Sequence, residues 1–161
     1  MNRFALSTAG LASVSLGGIA AAGTVNVTHY ADRWLGENDW SIVANNGGTT
    51  VALCDGGAYY GTFEYFSYST STATSVFGTI WLGLDLAAGD YTVYMTDTYG
   101  DGWAWGSFVG GLAVSGDVVS SVYKSLPSGS FTSFTFTVVP APGAMALLGL
   151  AGLASRRRRR G

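Results

Sequence analysis

Residues 97–106, DTYGDGWAWG, gather two carboxylates, three aromatic rings and three glycines into ten positions. Asp97, Tyr99 and Asp101 stand at alternate positions, with Gly102 next. This spacing lets successive ligands turn toward one point while glycine allows a sharp reversal, and Tyr99 would offer its backbone carbonyl. Oxygen donors so arranged suit a hard cation, and Ca2+ accepts about six to eight of them. Two aspartates cannot complete that shell, so further oxygens must come from elsewhere, with Asp32, Glu37 and Asp39 as candidates. Trp34, Trp103 and Trp105 lie near these acids in sequence, and an indole face suits the C–H face of a pyranose ring. A third use of the same residues is purely structural: the aspartates cap turn amides and the tryptophans fill a small core.

The spacing resembles the first half of an EF-hand loop, D-x-[DN]-x-D-G. The twelfth position is Phe108 rather than glutamate, so the loop is not an EF-hand. Catalysis is not expected. Asp97 and Asp101 share one tight loop instead of flanking a scissile bond as glycosidase carboxylates do. There is no G-x-S-x-G, and one histidine (His29) and one cysteine (Cys54) cannot make a His/Cys metal cluster. Cys54 has no second cysteine to pair with. It follows the apolar Val51-Ala-Leu53 and is expected to be a buried small hydrophobe.

These groups must be positioned by strands. No stretch of the chain sustains a helical period, while short β-branched and aromatic runs recur between turn residues. Strands are expected over 24–29, 40–45, 49–53, 59–68, 76–84, 90–97, 108–115, 118–123 and 131–138. Asn45-Asn-Gly-Gly48 marks a hairpin, since Asn and Gly tolerate positive φ. The polar stretch 70–75 reads as an exposed loop. Residues 23–138 suffice for one core, and the expected fold is all-β, a single jelly-roll-like β-sandwich.

The ends have another character. Residues 1–22 carry one arginine, Arg3, then a small-residue apolar run ending Ala20-Ala21-Ala22. This is the pattern of a signal helix cut by signal peptidase after Ala22. Residues 139–161 read VPAPG, then an apolar run over 144–154, then Arg156, Arg157, Arg158, Arg159 and Arg160. The apolar helix is shorter than the roughly 20 residues that span a bilayer, and its arginines are retained on the cytoplasmic side. All ten acidic residues lie between 32 and 117, while six of the eight basic ones lie in these ends. Residues 23–140 therefore hold ten acids against Arg33 and Lys124, a formal charge of −8 hidden by the whole-chain value of −2. Such a domain repels nucleic-acid phosphates and attracts cations.

Pro140, Ala141, Pro142 and Gly143, the apolar helix and the arginine cluster together resemble the PEP-CTERM sorting signal of Gram-negative bacteria. The family's central glutamate is Ala141 here. The resemblance implies a transient inner-membrane anchor, removal by an exosortase near the Pro-x-Pro motif, and release to the cell surface or exopolysaccharide layer. The middle resembles a family of extracellular bacterial β-modules with a D-x-Y-G-D-G-W loop. Its elements are Ala88-Gly-Asp-Tyr-Thr92, the loop beginning at Asp97, and Glu37-Asn-Asp-Trp40 upstream, across about 28–115. That family implies a non-enzymatic module of a secreted protein. Tyr30-Ala-Asp32-Arg-Trp34 also echoes Tyr99-Gly-Asp101-Gly-Trp103, so the two loops are expected to meet at one end of the sandwich. The expected function is an exported, exosortase-processed, non-catalytic surface or matrix protein. The alternative is a calcium-dependent carbohydrate-binding module.

Overall fold

Side chains alternate between the two faces of a strand, and this alternation decides what the domain buries. The computed structural model describes residues 22–141, and that region is all-β. Its strands are β1 (Ala22–Asp32), β2 (Asn38–Ala44), β3 (Thr50–Asp55), β4 (Ala58–Gly61), β5 (Tyr65–Thr70) and β6 (Val76–Ala87). Then follow β7 (Gly89–Asp97), β8 (Ala104–Trp105), β9 (Phe108–Val109), β10 (Gly111–Gly116), β11 (Val122–Ser125) and β12 (Phe131–Val138). One five-stranded sheet has the order β11-β10-β1-β6-β5 and the other β12-β7-β2-β3-β4, with β8-β9 a small ribbon. Every pairing is antiparallel. Among the described residues no helix is long and apolar enough to cross a membrane.

Val25, Val27 and Ala31 on β1, Ile80, Leu82 and Leu84 on β6, and Tyr91, Val93 and Met95 on β7 sit at alternate positions and are buried. With Trp40, Ile42, Leu112, Val114 and Phe136 they form one core shared by both sheets, which gives the domain its sandwich-like character. The Asn45–Gly48 turn closes the β2–β3 hairpin as expected, with Gly47 and Gly48 at φ 92° and 67°.

The structure departs from the expected strands where glycines intervene. The single strand expected over 59–68 is two, β4 and β5, in different sheets. The break follows Gly61, where a Cβ would stand 3.1 Å from the Val51 carbonyl oxygen. The run 108–115 divides at Gly110, where a Cβ would lie 2.6 Å from the Tyr30 carbonyl. The strand expected over 118–123 forms later, as β11, and Val118 makes only an isolated bridge to Val138. The winding also differs from a jelly roll. β2-β3-β4, β5-β6 and β10-β11 are sequential neighbours within a sheet, whereas the connections β1–β2, β4–β5 and β6–β7 cross from one sheet to the other. The expected signal helix up to residue 21, Pro142, Gly143, the apolar helix and the five arginines lie outside the described residues. Pro140 and Ala141 lie within them, and the Ala141 amide donates to the Ala22 carbonyl at 3.4 Å.

A polar trio interrupts the core. The Trp40 indole N–H donates to His29 Nδ1 at 3.3 Å, with the Tyr59 hydroxyl 2.8 Å from the same nitrogen. Because indole can only donate, Nδ1 must be the acceptor and Nε2 carries the proton. Burial lowers the His29 pKa to about 3, against a weaker upward pull from Asn38. Burial likewise pushes the Cys54 thiol up to about 12, against the Gly57 amide and the Tyr59 side chain. Its thiolate is therefore scarce at neutral pH.

His29 stays neutral in the fold while its unfolded counterpart protonates below 6.5. It should withdraw stability as pH falls from 6.5 toward 3, by at most about 1.4 kcal/mol per pH unit. As the one histidine, it can be followed by NMR. Its imidazole signals should keep neutral-form shifts down to about pH 4, and a titration midpoint near 6.5 would contradict the assignment.

Candidate metal centre

β2 and β7 pair so that Asn38 lies opposite Asp97. Inward positions on β7 run Tyr91, Val93, Met95, Asp97, so the two-residue period carries a carboxylate to the end of the core, where Asp97 is only 2% exposed. Glu37 ends a short 3-10 turn, Leu35–Glu37, and its carbonyl accepts the Thr98 amide at 3.2 Å. This backbone bond draws Glu37 to the head of the 97–106 loop. Asp32 is buried from the other sheet, at a register shift between Ala31 and Asp32. Such a bulge lets two successive residues turn inward.

Glu37, Asp97 and Asp101 each present a carboxylate oxygen, all within 4.8 Å of one another. Oxygens bound to one Ca2+ lie about 2.3–2.6 Å from it, hence at most about twice that apart, so the three fit a single ion. One Asp97 oxygen, Oδ1, accepts the Gly100 amide. The other, Oδ2, is buried without any hydrogen-bond partner. A buried, unpartnered carboxylate oxygen is costly, and a cation would satisfy it. Burial, then repulsion from Asp97, Asp101 and Asp32, raises the Glu37 pKa. Burial also raises that of Asp32, outweighing hydrogen bonds from the Trp34 amide and Asn38, with Asp97 and Asp101 adding to the rise. Acids with raised folded-state pKa values cost stability above those values, and the cost is relieved by protons or by a cation.

The remaining acids divide by role. Asp32 repels the cluster but is not one of its three members, and its Oδ1 accepts the Trp34 amide at 3.0 Å and Asn38 Nδ2 at 3.2 Å. Asp39 belongs to turns. Its Oδ1 accepts the Gly56 amide at 2.7 Å and its Oδ2 the Thr98 hydroxyl at 2.9 Å, so the expected ligand is an amide cap and a strand-end tie. Tyr99 is 79% exposed, its side chain lining the groove beside the acids.

The tryptophans divide too. Trp103 is fully buried, donates its indole N–H to the Thr96 carbonyl at 3.1 Å and packs 5.1 Å from His29. It is an anchor for the loop and no stacking platform. Trp34 and Trp105 meet edge to face at 6.1 Å, so the two echoing loops do come together. The Arg33 guanidinium sits 5.0 Å and 5.1 Å from their ring centres, a cation–π contact that sequence reasoning did not find. Trp34, Glu37, Tyr99, Asp101 and Trp105 line a groove of about 310 Å³. Asn38, whose buried Oδ1 also lacks a partner, was equally missed. The signal was present, because Asn38 stands two residues before Trp40 on an inward face.

No family model, curated protein or solved structure matches this chain.

Gly102 holds the loop closed at φ 94°, and a Cβ there would lie 2.5 Å from the Ser128 backbone nitrogen. Gly106, at φ 63°, has open space around it. Gly102→Ala should therefore cost at least about 2 kcal/mol. Gly106→Ala, bearing backbone strain alone, should cost about 1 kcal/mol. Chemical denaturation of both variants checks the order, and equal losses would refute the steric account.

Proposed function

We propose that the chain is an exported, exosortase-processed, non-catalytic protein of the cell surface or extracellular matrix, and that its β-sandwich binds calcium. The observation that carries the calcium site is the buried, unpartnered Oδ2 of Asp97 beside the carboxylates of Glu37 and Asp101. An all-oxygen donor set with Asp101 in a loop and Glu37 at the end of a short 3-10 turn suits Ca2+ better than Mg2+, which demands a tight octahedron. Export is supported by the sequence of both ends. Signal peptidase acts after Ala22, the tail rests transiently in the inner membrane, and an exosortase acts near Pro140-Ala141-Pro142. A second reading, a calcium-dependent carbohydrate-binding module reaching exopolysaccharide, is favoured by Trp34 and Trp105 at the groove.

Calcium that binds only the native state stabilises it by mass action, by about 2.7 kcal/mol at 100 times its dissociation constant. Melting curves in millimolar calcium and in chelator should differ by several degrees, and Asp101→Asn should remove most of the difference while the chelator curve stays near wild type. Identical curves would refute the site.

Mass spectrometry of the native extracellular protein tests the export route. It should find peptides ending near Pro142, and an intact terminus at Gly161 would overturn exosortase processing.

A further inference from the structure

Resting on the calcium site proposed above, we infer that the ion is shared with a ligand: it bridges the protein to adjacent hydroxyl groups of a neutral glycan lying in the groove of Trp34, Tyr99 and Trp105.

The three carboxylates differ in exposure. Asp97 closes the inner side of the cluster, whereas Asp101 is exposed and Glu37 half-buried, and both also line the groove. An ion held among them thus has its protein ligands on one side and the groove on the other. Ca2+ takes about six to eight oxygens, so the groove side retains coordination positions for oxygens from outside the chain. Aromatic surface stands beside those positions. Trp34 and Trp105 remain 45% and 42% exposed although they touch each other. Arg33 packs over both rings and holds them as a unit. An indole beside a hydroxyl-binding ion can receive the C–H face of the same sugar. A volume of about 310 Å³ is at the small end of the roughly 300–1,000 Å³ typical of small-molecule sites, so the groove takes a short glycan segment.

Charge decides the class of sugar. Three carboxylates around one dication leave a local charge of −1. Asp32 adds to that field, and the domain as a whole carries −8. Uronates, sulfated and phosphorylated glycans would meet this excess negative charge, whereas hydroxyl oxygens do not. Among the described residues the nearby cation, Arg33, already lies over the two indoles.

Retention of the purified secreted protein on immobilised dextran, mannan and galactan is compared with retention on pectate and alginate. Each column is run in millimolar calcium and in chelator, with calcium binding to the same protein measured by calorimetry. Retention on at least one neutral column, present in calcium and lost in chelator, is expected. Trp34→Ala and Trp105→Ala should weaken it about tenfold, the loss of roughly one stacking contact, with the calcium isotherm unchanged. The corresponding Phe variants should restore much of it. Calcium binding without neutral-glycan retention overturns the inference and leaves the calcium site standing. Retention only on the acidic columns, or retention insensitive to chelator, overturns it as well. A flat calcium isotherm removes the calcium site, and the inference with it.

Discussion

The two-residue period of β7, fixed by its pairing with β2, settles what the rest of this domain must accommodate. Once Tyr91, Val93 and Met95 face the core, Asp97 has no other direction to point. The opposite strand offers Asn38 at the same level. The core therefore ends in polar groups instead of closing with an apolar cap, and the chain around it is arranged to contain them. Trp103, fully buried and bonded to the Thr96 carbonyl, seals the loop from inside. Gly102 lets the loop pass against the Ser128 backbone. The bulge at Asp32 adds a fourth carboxylate to a neighbourhood that already repels itself.

The contrast between Asp39 and Asp97 shows how one residue type is put to two uses a few ångströms of backbone apart. Asp39 spends both oxygens on neighbouring donors and resembles any turn aspartate. Asp97 spends one on the Gly100 amide and leaves the other bare. A domain that needed only a stable turn would gain from an asparagine or serine at Asp97, since either can cap an amide without repelling its neighbours. Keeping the carboxylate there is a local conflict of the kind expected at functional positions.

Much of this was legible in the residues. Alternation located β1, β2, β6, β7 and β12, because half-buried strands leave a strong period-two trace. The paired loops were visible in the repeated Y-x-D-x-W. The split of 59–68 was not, since it goes with the close approach of Val51 and Ala52 to Gly61, where a Cβ would be crowded, a tertiary fact with no local sign. Nor could spacing separate Trp103 from Trp105. They are two apart on nearly the same loop, yet one is core and the other half in solvent. Asp39 looked as eligible a ligand as Glu37, because hydrogen bonds from Gly56 and Thr98 depend on how three elements converge.

The adjacency of Ala22 and Ala141 has an architectural consequence. β1 starts at that pole and delivers Asp32 to the other after 11 residues, roughly 35 Å of extended chain. Both ends of the described chain thus lie at a single pole, and the acidic groove occupies the antipode. Cleavage beside Ala22 or beside Ala141 would fall at that pole, away from the groove. The length of β1 thus sets how far the groove lies from the pole where the described chain begins and ends.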